Sequence, residues 1–372
     1  MIPLHQPFIS GNEIKYIEEV IESGKLSGNG KYTELCHQFF QNEFGFTHSK
    51  LTDSCTAALD MVSILLNISP GDEVIVPSFT YITSANPFVL KGAKIIYADS
   101  LSENPNIDPA QLQKLITKKT KAIVVMHYGG IACEMDEIMH IANSHNIWVI
   151  EDAAHSLGAM YKSKYLGSIG HFGAFSFHAT KNISSGHGGL LVINDEQFVE
   201  RADIIWEKGT NRKMFLDGEV NKYEWYDVGL SFYPSEITAA FLWAQLQNLL
   251  NINSERVRAW NYYYEALKDI PQLSLLKVED YAKHNAHLFC IKTPTREKRN
   301  ILIQQLKLNG IMATFHYLPL HLSPYAKTEK TLKLKGAEEW AEGLIRIPLY
   351  FGITKKDQDF IVDHIKATVK SW

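Results

Sequence analysis

The chain has 372 residues, 45% of them hydrophobic and 21% charged, and a formal net charge of −4. That is an ordinary globular composition, long enough for two packed cores, with no basic surplus to hold nucleic acid. No apolar run nears the ~18 residues of a membrane span, so no membrane partner is expected. Cys36, Cys55, Cys133 and Cys290 are scattered and form no CxxC, and the start MIPLHQPFISG lacks a signal-peptide core, which predicts a reducing cytoplasm.

Residues 10–23 predict an amphipathic helix, with Ile14, Ile17, Val20 and Ile21 at helical spacing. A polar loop, 24–30, follows; it reads either as a plain connection or as a ligand loop. The next helix opens in 52–59 and carries Leu59, Val62, Leu65 and Leu66. Its small hydroxyl residues can cap it, or can leave the amides of Thr56 and Ala57 aimed at an anion. Strands are predicted at 72–76, 94–97, 121–126 and 148–150, with helices near 109–116 and 134–144. This alternation predicts a mostly parallel sheet with helices on both faces. Tyr81, just past the second strand, reads as core or as a flat face for an aromatic cofactor. After residue 190 the pattern gives a helix at 195–206, a polar run at 207–213 and a long helix from 234–236 to about 250. The polar run is a solvated loop or, through its cations, a diphosphate site. A second helical pattern through Val257, Trp260, Tyr264 and Leu267 leads into a smaller α+β region. There strands are predicted at 288–292, 311–314 and 344–347, with helices at 296–308, 336–343 and 355–370. We therefore expect a large α/β domain over 1–250 and a small α+β domain over 251–372.

The stretch 151–189, EDAAHSLGAMYKSKYLGSIGHFGAFSFHATKNISSGHGG, carries the chemistry. The apolar run 147–150 ends in Glu151 and Asp152, which places a carboxylate at the sheet edge where open α/β folds bind ligands. A second apolar run, 172–177, ends in a loop with Ser176, His178 and Lys181, before the glycines 186, 188 and 189 and a strand at 190–193. A lysine and a carboxylate at neighbouring strand ends suit pyridoxal phosphate, which needs an amine to hold its aldehyde and an acid at its ring nitrogen. A solvated loop lysine and a turn-forming aspartate explain the same residues, so spacing alone leaves both readings open. Neither G-x-G-x-x-G after a strand nor G-x-x-x-x-G-K-[ST] occurs, which disfavours a nicotinamide dehydrogenase.

The segments SCTAALD (54–60), GDEVIVPSFTYITSAN (71–86), EDAAHSLGA (151–159), GAFSFHATKN (173–182) and FHYLPLH (315–321) together resemble the DegT/StrS sugar-nucleotide aminotransferases over nearly the whole chain. The resemblance implies a PLP-dependent transferase of the aspartate-aminotransferase fold, an obligate homodimer with shared sites. It implies Lys181 as the Schiff-base lysine and Asp152 as partner of the pyridine nitrogen. Thr56, Ala57 and Ser176 would hold the phosphate, Tyr81 would stack on the ring, and His155 would lie by the phenolic oxygen. Ser231 would reach the partner subunit's phosphate, and Lys25, Arg212, His316, Tyr317 and His321 are nominated for the substrate. His187 departs from the family pattern, which usually has an acid in that turn. SGKLSGNG (23–30), MHYGGIACEMD (126–136) and EKGTNR (207–212) are similar to members that aminate TDP-4-keto-6-deoxy-D-glucose with L-glutamate for cell-surface polysaccharides, giving the galacto product. The gluco epimer, another keto-sugar nucleotide, sugar dehydration and a non-enzymatic PLP-fold regulator are the alternatives; Lys181 argues against dehydration, whose known members replace that lysine with histidine.

Overall fold

The computed structural model describes residues 1–326 and 331–372. Its strands, in chain order, are β1 (Ser49–Thr52), β2 (Glu73–Pro77), β3 (Lys94–Ala98), β4 (Thr120–Met126), β5 (Trp148–Asp152), β6 (Met160–Tyr161), β7 (Lys164–Tyr165), β8 (Phe172–Ser176), β9 (Gly189–Ile193), β10 (Ser274–Leu275), β11 (Ala282–Lys283), β12 (Phe289–Lys292) and β13 (Leu344–Ile347). Seven of them form the central sheet in the order β1-β9-β8-β5-β4-β2-β3. Only β9 runs against its neighbours, so β1, β8, β5, β4 and β2 all end at one edge.

The helices before residue 250 are α1 (Glu13–Ser23), α2 (Lys31–Phe44), α3 (Cys55–Leu65), α4 (Asn86–Leu90), α5 (Leu112–Leu115), α6 (Met135–Ser144), α7 (Val199–Trp206), α8 (Arg212–Leu216) and α9 (Glu236–Leu246). Side-chain alternation along the strands decides where they pack. Val74, Val76, Ala122, Val124, Ile150, Phe172 and Leu191 share a core with α3, α4 and α7. Ile75, Ile123, Val125 and Val149 face α5 and α6, while Phe175, Leu190 and Val192 meet α2 and α9. Parity therefore turns Asp152, two residues past Ile150, toward the α3 side, and Glu151 to the opposite face.

Buried Glu236 ties two of these helices together. Its carboxylate accepts the Gly30 amide at 2.9 Å, the Tyr32 amide at 2.8 Å and the Thr33 amide at 3.3 Å, and bonds the Thr33 hydroxyl. It thus supplies from α9 the acceptors that the start of α2 lacks.

The second core lies around α10 (Leu249–Leu267), α11 (Arg296–Leu308), α13 (Lys355–Lys370) and the sheet β10-β12-β13, with α12 (Lys335–Gly343) before β13. The N-terminal residues join it: Ile2 bridges Ile311, and the Leu349 amide donates to the Leu4 carbonyl at 3.2 Å.

Three sequence expectations change. The first helix begins at 13 rather than 10, because the Glu13 carboxylate accepts the Ser10 and Gly11 amides at 2.7 and 2.8 Å and holds them outside it. The helix expected to reach 250 breaks after 246. There the Asn248 amide tightens onto Gln245 O at 3.0 Å and its side chain donates to Ala244 O at 3.0 Å. The strand expected at 311–314 is reduced to two isolated bridges, Ile311 to Ile2 and Thr314 to Arg346. Among the described residues no helix is long and apolar enough to cross a membrane.

Candidate active site

The shared strand edge brings the starts and ends of five loops around one cavity of about 540 Å³. Thr56 enters from the start of α3, Tyr81 from the loop after β2, Asp152 and His155 from the end of β5, and Ser176 and Lys181 from the end of β8. His316 and Tyr317 close it from the C-terminal region. A larger hollow, about 880 Å³, lies among Lys292, Arg296 and Glu342 but holds neither Lys181 nor Asp152, so chemistry rather than size marks the site.

Asp152 is 3% exposed. The Ser84 hydroxyl donates to its Oδ2 at 2.6 Å and the Ala154 amide to its Oδ1 at 3.2 Å. Ser84 has one proton and gives it to Asp152, so the Thr80 hydroxyl, 2.7 Å away, donates to Ser84. Burial raises the Asp152 pKa, while Ser84, the Ala154 amide and the charge on Lys181 work to keep it an anion. Glu151, on the other face of the strand, accepts the amides of Gly167, Ile169 and Gly170 and pairs with His127 at 2.9 Å. Of the two adjacent acids, one shapes a loop and the other faces the cavity.

Lys181 keeps part of its surface open to the cavity, and its ammonium makes no hydrogen bond among the described residues. Protein surrounds that ammonium closely enough for desolvation to lower its pKa to about 8, against the opposing pull of Cys55 and Asp152. Such an amine can both hold and release a proton near neutral pH.

His155 Nδ1 accepts the Gly129 amide at 3.2 Å, which leaves the proton on Nε2. Its ring stacks on His287 at 4.2 Å, and His316 stacks on Tyr317 at 3.6 Å. Burial first, and then nearby cations, push all three histidines well below their usual pKa, so each is a neutral ring.

The start of α3 needs one correction. Ser54 is the N-cap, and its hydroxyl accepts the Ala57 amide at 3.0 Å, so Ala57 does not present a free donor. The amides of Cys55 and Thr56 have no partner among the described residues and remain open. The turn before β9 presses on this helix start: a Cβ on Gly189 would lie 2.3 Å from the Ser54 carbonyl carbon.

His321 is also corrected. It is fully buried, 2.6 Å from the Ser78 hydroxyl and 3.4 Å from Glu338, because the turn at 320–322 folds it onto the end of β2. Lys25, Arg212 and Ser231 lie outside this cavity as well. Lys25 and Ser231 are exposed; Lys25 donates to Asn29 O at 2.7 Å and Arg212 lies 3.6 Å from Glu207. Tyr81, 52% exposed, offers an open ring face, and the departing residue His187 lines the cavity rim.

Sequence reasoning missed Ser84, His287, Arg256 and Arg346. Ser84 lies within a matched segment but shows no signal of its own. His287 and the two arginines come from elements far along the chain.

The donor set fits pyridoxal phosphate: an unbonded, desolvated amine, a fixed buried carboxylate, two open helix-start amides and an exposed aromatic face. The fold and cavity thus define a PLP-dependent enzyme of the aminotransferase class. The chain belongs to the DegT/DnrJ/EryC1/StrS aminotransferase family, whose model matches residues 7–366. It is 32% identical to a spore coat polysaccharide biosynthesis protein of Bacillus subtilis, covering 99% of this chain and 97% of that one. It is 31% identical to GDP-perosamine synthase of Escherichia coli O157:H7, covering 98% and 97%. The PMP-form structure of Spr1654 from Streptococcus pneumoniae superposes with a TM-score of 0.92 at 26% identity, covering 100% of both chains. When bound, the cofactor supplies an electron-withdrawing ring at the carbon that carries the amine.

Only the neutral form of Lys181 attacks an aldehyde, and a lowered pKa makes that form available at lower pH. The rate at which apoprotein takes up pyridoxal phosphate, measured by absorbance against a Lys181→Ala blank, should rise with pH and level off above about 8. A rate still climbing toward pH ~10.5, where an ordinary lysine titrates, would contradict this environment.

Proposed function

We propose that the protein transfers the amino group of L-glutamate to C4 of TDP-4-keto-6-deoxy-D-glucose, giving TDP-4-amino-4,6-dideoxy-D-galactose. The observation that carries a transfer reading is the meeting of Lys181 and Asp152 in one cavity. The loops at 23–30, 126–136 and 207–212 support the choice of sugar, and the relative named GDP-perosamine synthase supports a sugar nucleotide. In this reading Thr56 and Ser176 hold the phosphate, Tyr81 covers the ring and the His155 Nε2 proton meets the phenolic oxygen. Asp152 keeps the ring nitrogen protonated. Lys181 Nζ moves a proton to the sugar carbon from one face, so the sugar's orientation fixes the configuration of the amine. His316 and Tyr317, which line the same cavity, would contact that sugar.

A panel of TDP and GDP 4-keto and 3-keto sugars with L-glutamate tests this assignment. The TDP 4-keto-6-deoxy sugar should be the best acceptor, and proton NMR of its product should give small H4 couplings to H3 and H5. Large diaxial couplings would replace the galacto product by its gluco epimer. Preference for a GDP sugar would overturn the nucleotide.

The reading includes a homodimer in which Ser231, exposed and outside its own chain's cavity, reaches the partner's cofactor phosphate. Lys25 and Arg212 would approach the partner's substrate in the same way. If Ser231→Ala is strongly impaired, mixing it with Lys181→Ala should restore activity, since one site per mixed dimer then carries neither lesion. Full activity of Ser231→Ala alone, or no recovery despite confirmed subunit exchange, would remove Ser231 from the site.

A further inference from the structure

The segment 126–136 carries part of the closer sequence likeness, yet only Met126 of it lines the cavity. The rest passes behind the cavity wall, through the turn Tyr128–Gly130 and into α6. Asn106 clamps that turn at both ends. Its Oδ1 accepts the Tyr128 amide at 2.9 Å, and its Nδ2 donates to the Ile131 carbonyl at 3.0 Å. Gly129 takes a left-handed φ of 67°, which glycine allows, and its amide reaches His155 Nδ1.

The same turn touches a second cavity ring, also at Nδ1. Tyr128 is 1% exposed, and its hydroxyl lies 2.7 Å from His316 Nδ1 and 3.7 Å from Cys290 Sγ. Burial raises the phenol pKa well above its usual value and pushes the thiol up to about 12, so both keep their protons. The phenol has one proton to give. If His316 Nδ1 held a proton of its own, the phenol oxygen would accept it. The phenol's proton would then have only the distant sulfur, a weak acceptor. In the opposite order the thiol donates to the phenol and the phenol to Nδ1, and every proton has a partner. Burial and the charge of Arg346, whose Nε is itself buried without a partner among the described residues, keep the ring neutral. The one ring proton of His316 is therefore on Nε2, which has no partner among the described residues.

His287 is wired the other way. Its Nδ1 lies 3.1 Å from Asn182 Oδ1, and Asn182 spends its amide nitrogen on Asn253 Oδ1 and the Asn285 carbonyl, both at 2.9 Å. An amide oxygen only accepts, so His287 carries its proton on Nδ1 and leaves Nε2 bare. The wall thus has a fixed polarity, with His155 and His316 as donors and His287 as an acceptor. We propose that Tyr128 is a positioning residue that holds His316 with its Nε2 proton toward the cavity, as a donor to an oxygen of the keto sugar. This rests on the sugar-aminotransferase reading above but not on which nucleotide carries the sugar.

Holoenzyme containing nitrogen-labelled histidine reads the wiring by NMR without substrate, with His316 assigned by its absence from His316→Gln. Wild type should show a bare, hydrogen-bonded Nδ1 and a protonated Nε2. In Tyr128→Phe the two nitrogens should move toward a shared, averaged shift. The reaction is then followed in halves, L-glutamate with the PLP form and the keto-sugar nucleotide with the PMP form. Tyr128→Phe should slow the sugar half by about 10- to 30-fold, the loss of one aligned hydrogen bond, and leave the donor half within about 3-fold. His316→Gln carries its own amide donor, so adding Tyr128→Phe to it should cost less than about 3-fold more. The full loss in that background as well, or an equal loss in both halves, marks a packing role and overturns the proposal. So does an unchanged His316 spectrum in Tyr128→Phe, or an unchanged sugar half. If that variant does not fold, the wild-type spectrum decides, since a proton on Nδ1 contradicts the wiring. A wild-type PMP form that no keto sugar discharges would overturn the sugar contact together with the sugar assignment; the spectrum, read without substrate, tells that failure from a failure of the wiring.

Discussion

The site depends on one buried carboxylate. Asp152 is the last residue of β5, and a carboxylate placed there without partners would take up a proton rather than stay charged. The relay from Thr80 through Ser84, the Ala154 amide and the cation of Lys181 oppose that uptake and favour the anion. An anion fixed in this way is a preorganised charge, and it needs no rearrangement of solvent when a ring nitrogen approaches. Lys181 follows the same physics with the opposite sign, since the desolvation that raises Asp152 also lowers its amine. The two groups share one cavity, and their mutual attraction opposes both shifts, lowering the Asp152 pKa and raising that of Lys181.

Sheet topology makes that pairing possible. β5 and β8 are adjacent and parallel, so their ends deliver Asp152 and Ser176 side by side, with Lys181 in the loop that follows. The single reversed strand, β9, turns back directly beside β1 and the start of α3. Gly189 leaves no Cβ at this crossing, where one would overlap the Ser54 backbone. That close approach keeps the open amides of Cys55 and Thr56 on the same side as the lysine loop. The C-terminal region then adds a wall of neutral rings and one unpaired guanidinium.

Much of this could be read from the sequence, and the parts that could not have physical reasons. Strand ends with special residues announced Asp152, Ser176 and Lys181, and Thr56, Tyr81, His155, His316 and Tyr317 reached the cavity as expected. Ala57 presents no open amide because the cap serine three residues earlier accepts it, a detail set by the rotamer of Ser54. His321 lies only four residues after Tyr317, yet a tight turn at Pro319 reverses its direction into the core. Ser84 was invisible because a serine in a short loop says nothing about which carboxylate it will meet. Arg346 was hidden in plain alternation: in LIRI, a charge between two isoleucines reads as solvent-facing, and only the packing of the second core shows that this face is a cavity wall. The split after α9 has a similar origin, in a side-chain hydrogen bond that no periodicity reports.

The central claim is that Asp152 remains an anion and holds a proton on the cofactor's ring nitrogen. It is tested most directly by nitrogen NMR of protein reconstituted with pyridoxal phosphate labelled at that atom. Near neutral pH the wild-type protein should give the chemical shift of a protonated pyridine nitrogen, and Asp152→Asn, with its fold intact, the shift of an unprotonated one. Identical shifts in the two proteins would place the nitrogen's partner elsewhere and contradict this account of the site.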